Sequence, residues 1–140
     1  VPAELDASAP AGLYGYQPLA SEAGFPLTLI SPASARAITS TLFQLVTEPA
    51  ELKMHPDDAA PRGLATGAAI RTYNDRGEVI CQVLVTDEVR PGVVELPKGL
   101  WARHTTNGRT SNALVPDTLT DLGGGACFND ARVEVVAYAG

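Results

Sequence analysis

The sequence predicts a mainly β fold, a small closed β-barrel carrying a few short helices, and three observations predict it. Short strand-like runs are separated by turn chemistry rather than by long helical periods. The stretch from Met54 to Val94 packs a capped helix, a glycine turn and a strand-turn-strand unit into one continuous piece. The first and last elements are both strand-like, which suits a sheet closed on itself better than a parallel α/β sheet.

The first strand is Pro26 to Ile30, an apolar run ended by Ser31-Pro32. Ser31 to Leu45 follows as a loop running into a short helix, because Ile38, Leu42 and Leu45 stand at roughly helical spacing. Glu51 to Met54 is a brief strand. His55-Pro56-Asp57-Asp58 then opens a helix, since proline suits the first turn and the two acids oppose the positive end of the helix dipole. Gly63 closes that helix, and Ala65-Thr66-Gly67 turns the chain into a strand from Ala68 to Tyr73.

Asn74-Asp75-Arg76-Gly77 is hairpin chemistry, with Gly77 expected to supply a positive φ at a bulge. The return strand is Glu78 to Thr86, on which Cys81 alternates with Val79, Val83 and Val85. That pattern marks Cys81 as a packed thiol rather than a reactive one. Arg90-Pro91-Gly92 fits a type II turn leading into a strand from Val93 to Leu96. A polar loop, a short helix near Pro116 to Leu122, the run Gly123-Gly124-Gly125 and a last strand from Arg132 to Tyr138 complete the order.

With 140 residues and a net charge of -6, the chain suits one domain with a real core. The acidic balance argues against wrapping a nucleic-acid backbone, and no apolar run approaches the roughly 20 residues of a membrane helix. An anionic ligand must therefore be held locally. No acid lies between Gly24 and Thr47 or between Leu96 and Pro116, and these two windows are the natural places for one.

The two cysteines, Cys81 and Cys127, match neither a C-x-x-C site nor a disulfide framework. His55 lacks clustered partners and reads as structural. The first 24 residues, rich in Ala, Pro, Gly and Ser, read as a linker or arm ahead of a domain over 25–140. A start at Val1 without a targeting segment fits a processed precursor or an excised domain.

Several segments then become familiar as a set: PLTLISP with the downstream STL, MHPDDAAPRGLATGAAIRTYNDRGEV, VRPGVV with PKGLW, NALVPDTLTDLGGG, and CFNDARVEV. In this order the chain resembles, over about Phe25 to Val136, the C-terminal dinucleotide-binding domain of molybdopterin oxidoreductases. That dimethyl-sulfoxide-reductase-type family also includes formate dehydrogenases and nitrate reductases.

The resemblance implies a double-psi β-barrel, the last domain of a larger catalytic polypeptide, closing over molybdopterin guanine dinucleotide. It implies molybdenum or tungsten on that cofactor, ligated by other domains and not by this chain. Its implied partners are the remaining domains of the catalytic subunit, together with iron-sulfur electron-transfer domains or subunits, with no catalytic residue here. A standalone accessory subunit or a protein-binding barrel module is the alternative. A self-processing pyruvoyl decarboxylase on a similar barrel needs a Gly-Ser pair, and no Gly precedes a Ser in this sequence.

A pterin dinucleotide presents a flat edge of donors and acceptors joined to a pyrophosphate, so its site needs amides, hydroxyls, backbone N–H groups and limited positive charge. In the first window Ser31, Ser34, Ser40 and Thr41 are the expected phosphate or ribose donors. Thr39 departs from relatives in which an Asn often precedes the Ser-Thr pair. In the second window Trp101 is expected to cover a cofactor ring, Arg103 and His104 to face phosphate or pterin oxygens, and Asn112 to read the pterin edge. Phe128 and Asn129 match the family's terminal cofactor-facing turn. The competing reading gives the hydroxyls to helix capping, Trp101 to the core and His104 to an exposed loop.

Overall fold

A computed structural model describes residues 24–35, 37–120 and 123–140, so the expected arm over 1–24 lies almost wholly outside the described residues. Six strands close into a barrel: β1 (Leu27–Ile30), β2 (Glu51–Met54), β3 (Ala69–Asn74), β4 (Gly77–Val85), β5 (Val93–Glu95) and β6 (Ala131–Ala137). Their order around the barrel is β1-β5-β2-β4-β3-β6. Neighbours β1 and β5 run parallel, as do β2 and β4, while the other pairs are antiparallel. Two parallel pairs joined by long crossovers and locked by antiparallel neighbours give the double-psi arrangement expected from the resemblance.

Alternation along each strand fills the interior. Leu27 and Leu29, Leu52 and Met54, Val79, Cys81 and Val83, Val133 and Val135 all point inward and are buried. The register sets Leu29 beside Val94 and Ala131, and Ile70 beside Cys81. A slip of one residue on any strand would turn its apolar set to solvent, so the pattern specifies the register. Burial pushes the Cys81 thiol up to about 12, against a smaller lowering by the Leu52 backbone.

Helix α1 (Pro56–Ala59) starts as expected: the backbone N–H of Asp57 donates to His55 Nδ1 at 3.1 Å, and Gly63 ends the following turn at φ 64. Asp58 also accepts a 2.7 Å hydrogen bond from the N–H of Gly92. The Arg90 to Val93 turn has Gly92 at φ 80 and a 3.2 Å bond from the Val93 N–H to the Arg90 carbonyl, as a type II turn requires.

Three local expectations are corrected. Gly77 does not adopt a positive φ; a Cβ there would lie 2.8 Å from the carbonyl oxygen of Ala113, so the glycine answers a close approach and not a turn. The turn is closed instead by Asn74 Oδ1, which accepts from the N–H groups of Arg76 and Gly77. The helix expected before Leu45 shrinks to a 3-10 turn at Phe43–Leu45. Thr39 at φ 52 and Leu42 at φ 74 interrupt it, and Ile38 and Leu45 are 72% and 73% exposed while Phe43 is buried. The segment from Pro116 to Thr120 is not helical either, with Leu119 bridged to Ala126; Asp121 and Leu122 lie outside the described residues.

Candidate cofactor-binding site

Barrel topology places the sequence windows together. Because β1 and β5 are parallel neighbours, the loops that leave their C-terminal ends, 31–50 and 96–112, emerge at the same rim. Strand β6 runs antiparallel to β1, so Phe128 and Asn129, just ahead of it, arrive at that rim too. Asn129 Oδ1 accepts a 3.0 Å hydrogen bond from the N–H of Ser31. The β3–β4 hairpin is also at this end, where Asn74 Nδ2 donates to the carbonyls of Leu114 and Arg132. Ala113 packs against the same hairpin at Gly77, which brings the neighbouring Asn112, itself exposed, to this end.

The second window then spends its side chains on the backbone of the first. Trp101 Nε1 donates to the Ser40 carbonyl at 2.8 Å, and Arg103 Nη2 donates to that of Phe43 at 2.9 Å. His104 Nδ1 accepts from the Trp101 N–H at 3.1 Å, and its Nε2 lies 3.0 Å from the Val46 carbonyl. A carbonyl only accepts, so the ring carries its proton on Nε2. The guanidinium of Arg103 lies 5.0 Å from the centre of the Trp101 ring, and Phe43 packs against the His104 imidazole. Gly99 crosses the first loop so closely that a Cβ would collide with Thr39 O and lie 2.8 Å from Ser40 N.

Strain and clamp balance in magnitude. Two non-glycine residues in the left-handed region cost about 1–2 kcal/mol each. The side-chain hydrogen bonds to the Ser40, Phe43 and Val46 carbonyls contribute about 1 kcal/mol each, which offsets a strain of that size. Asn tolerates the left-handed region better than Thr. The departure at Thr39 is therefore a conformational matter for the backbone as well as a missing amide.

The predicted residues divide by surroundings. Ser40, Thr41, Asn112, Phe128 and Asn129 are exposed, and Ser34 is half-buried. Ser31 is buried, and its Oγ is one of two buried side-chain oxygens without a hydrogen-bond partner among the described residues. Trp101 is 39% exposed, so its ring is neither core nor free. His104 is only 3% exposed with both nitrogens engaged, which removes it from the solvent-facing loop of the competing reading and directs its polar atoms to protein rather than to a ligand.

Sequence reasoning missed Asn107. Its Oδ1 accepts from Ile80 N and its Nδ2 donates to Glu78 O, so it completes the β4 edge ahead of the β2 pairing and ties the second loop to the barrel. The Asn107-Gly108 pair was the available signal.

A groove of about 740 Å3 runs between the first loop and the outer wall of β2, β4 and β5. It carries Glu48, Glu51 and Glu95 against Lys53, and Lys53 already pairs with Glu88 and Glu95. An anionic pyrophosphate does not belong there. Among the described residues no cluster of His, Cys, Asp and Glu could hold a metal ion. Ser34 lines this groove as well, whereas Ser31, Ser40, Thr41, Asn112 and Asn129 do not, so the hydroxyls and amides clear of its acids are those at the rim.

Residues 28–132 match the family model described as "Molydopterin dinucleotide binding domain". The chain belongs to this family. Among curated relatives, this molybdopterin dinucleotide-binding domain is 34% identical over 126 residues to "Probable oxidoreductase YoaE" of Bacillus subtilis, covering 86% of the chain and 18% of the relative. It is 40% identical over 96 residues to "Dimethyl sulfoxide/trimethylamine N-oxide reductase" of Rhodobacter capsulatus, covering 62% and 12%. Thus the chain spans less than a fifth of the length of these relatives.

Acetylene hydratase from Pelobacter acetylenicus shares the fold, with a TM-score of 0.68 at 18% identity over 89% of this chain and 21% of that one. The domain is homologous to catalytic subunits of the dimethyl sulfoxide reductase family, which supports molybdopterin guanine dinucleotide with molybdenum as its cofactor.

Proposed function

We propose that the rim of this barrel holds molybdopterin guanine dinucleotide against the remaining domains of a larger oxidoreductase, and that the chain is not catalytic alone. The observation that carries the reading is the convergence of both acid-free windows and the Phe128-Asn129 turn at one rim, beside a buried Ser31 hydroxyl that has no partner among the described residues. A bound polar group satisfies such a hydroxyl, so the residues present fit the cofactor. The cofactor supplies the redox chemistry, and the protein supplies placement and electrostatics.

On this reading Ser31, Ser40 and Thr41 donate to phosphate or ribose oxygens, while Ser34, which lines the acidic groove, does not. Asn112 and Asn129 meet the polar edge of the pterin with their amides, and Phe128 and the exposed face of Trp101 exclude water from its rings. Arg103 adds positive charge at the rim without leaving the loop carbonyls. The remaining domains supply the metal ligand and any iron-sulfur centres. The small share of each matched relative that this chain covers is what supports such partners.

Ser31→Ala tests the assignment. Removing an unpartnered buried hydroxyl leaves the urea midpoint equal or slightly higher, because the group's desolvation cost disappears. Affinity for molybdopterin guanine dinucleotide, measured by titration, falls about fivefold to tenfold if the hydroxyl bonds the cofactor, in line with the roughly 1 kcal/mol of one such bond. Unchanged affinity removes Ser31 from the site, and unchanged affinity in Ser40→Ala and Thr41→Ala as well refutes the rim as the binding surface.

A further inference from the structure

Three side-chain donors of the second window are turned onto protein. The indole N–H of Trp101, a guanidinium N–H of Arg103 and the Nε2–H of His104 are committed to the carbonyls of Ser40, Phe43 and Val46, spaced through a single loop. The imidazole also closes its own turn by accepting from the Trp101 N–H. The Ala50 N–H donates to the His104 carbonyl at 2.7 Å, so the far end of the loop is tied to the same residue. Within the loop, Ile38 and Thr41 exchange backbone hydrogen bonds of 3.1 and 2.9 Å across Thr39 and Ser40.

We propose that Trp101, Arg103 and His104 are positioning residues, which lock the 38–46 loop in its left-handed turns and so hold the Ser40 and Thr41 hydroxyls outward before any cofactor arrives. The chemistry favours this over direct polar contact through these N–H groups. Each of the three side chains is a donor aimed at an acceptor-only group, and pulling carbonyls toward the barrel leaves the loop's hydroxyl face to solvent. Thr39 and Leu42 do not hold left-handed backbone by themselves. A loop released from the clamp relaxes to other conformers, and a ligand that needs the held one loses affinity in proportion to the population lost.

The inference rests on the rim binding the dinucleotide, and its test separates the two. Trp101→Phe keeps the ring over which Arg103 lies and deletes only the indole N–H. His104→Ala deletes both imidazole bonds, and His104→Gln restores a donor amide near the Val46 carbonyl. Amide hydrogen exchange on the whole chain is read at Ile38, Thr41, Leu45 and Val46, with Leu52, Val79 and Val83 in the barrel as internal references. Faster exchange by about tenfold in the loop with unchanged barrel amides is expected for Trp101→Phe and His104→Ala, with recovery in His104→Gln.

Titration with molybdopterin guanine dinucleotide is then expected to weaken by a similar factor in the same two variants. Loop amides that stay protected in Trp101→Phe overturn the clamp. A loosened loop with undiminished affinity overturns the positioning role and leaves a purely structural one. Failure of the unsubstituted chain to bind overturns the binding reading, and the positioning role with it, while the exchange data still report whether the clamp orders the loop.

Discussion

Gly99→Ala is the sharpest probe of how the two rim loops meet. Gly99 sits at φ 83, and a methyl group there would collide with the backbone of Thr39 and come within 2.8 Å of Ser40 N. Two costs therefore add: about 1–2 kcal/mol for a left-handed non-glycine residue, and about 1–3 kcal/mol for forcing a methyl into an occupied space bounded by backbone. Gly67→Ala separates them, because Gly67 has φ 86 with nothing within 4 Å of the added carbon. Urea denaturation of both variants is expected to place Gly99→Ala about 1–3 kcal/mol below Gly67→Ala. At roughly 3–4 °C per kcal/mol for a chain of this size, thermal melts should separate by about 3–12 °C. Equal losses in the two variants would refute the close crossing of the two rim loops at Gly99.

Other consequences are as direct. The folded Cys81 thiol stays protonated up to about 12, whereas an unfolded thiol ionises near ~8.5. The folded state thus binds more protons between those limits. Stability is full below that range and falls by about 1.4 kcal/mol per pH unit as pH rises into it. Urea midpoints between pH 8 and 10.5 should drop more steeply in the unsubstituted protein than in Cys81→Ala; parallel slopes would remove the thiol as the cause. Asn74→Ala takes donors from the Leu114 and Arg132 carbonyls and the acceptor from the Arg76 and Gly77 amides. A loss of about 2–4 kcal/mol in urea denaturation is expected, and a loss below ~0.5 kcal/mol would show that water replaces the amide.

The sequence alone determined the strands. Period-two alternation on Arg132 to Val135 defines one apolar face, and the largely apolar run Val79 to Val85 sets Val79, Cys81 and Val83 inward while Ile80 is covered on the other side. Pro56 with two following acids and Pro91-Gly92 are local rules of backbone geometry, so they were legible without neighbours. The family motifs, taken in order, were equally legible, and residues 28–132 match them.

Tertiary structure alone decided the rim. The parallel pairing of β1 with β5, residues far apart in the chain, carries the two acid-free windows to one place, and no local pattern encodes that pairing. The same contacts overrode helical spacing before Leu45. Side-chain donors from residues 101–104 reward a broken, left-handed loop more than the helix rewards its own hydrogen bonds, and Phe43 turns inward in place of Ile38 and Leu45. Gly77 shows the same limit on a smaller scale. Its sequence neighbours called for a turn glycine, and the carbonyl of Ala113, brought against the hairpin only by folding, called for a residue without a side chain.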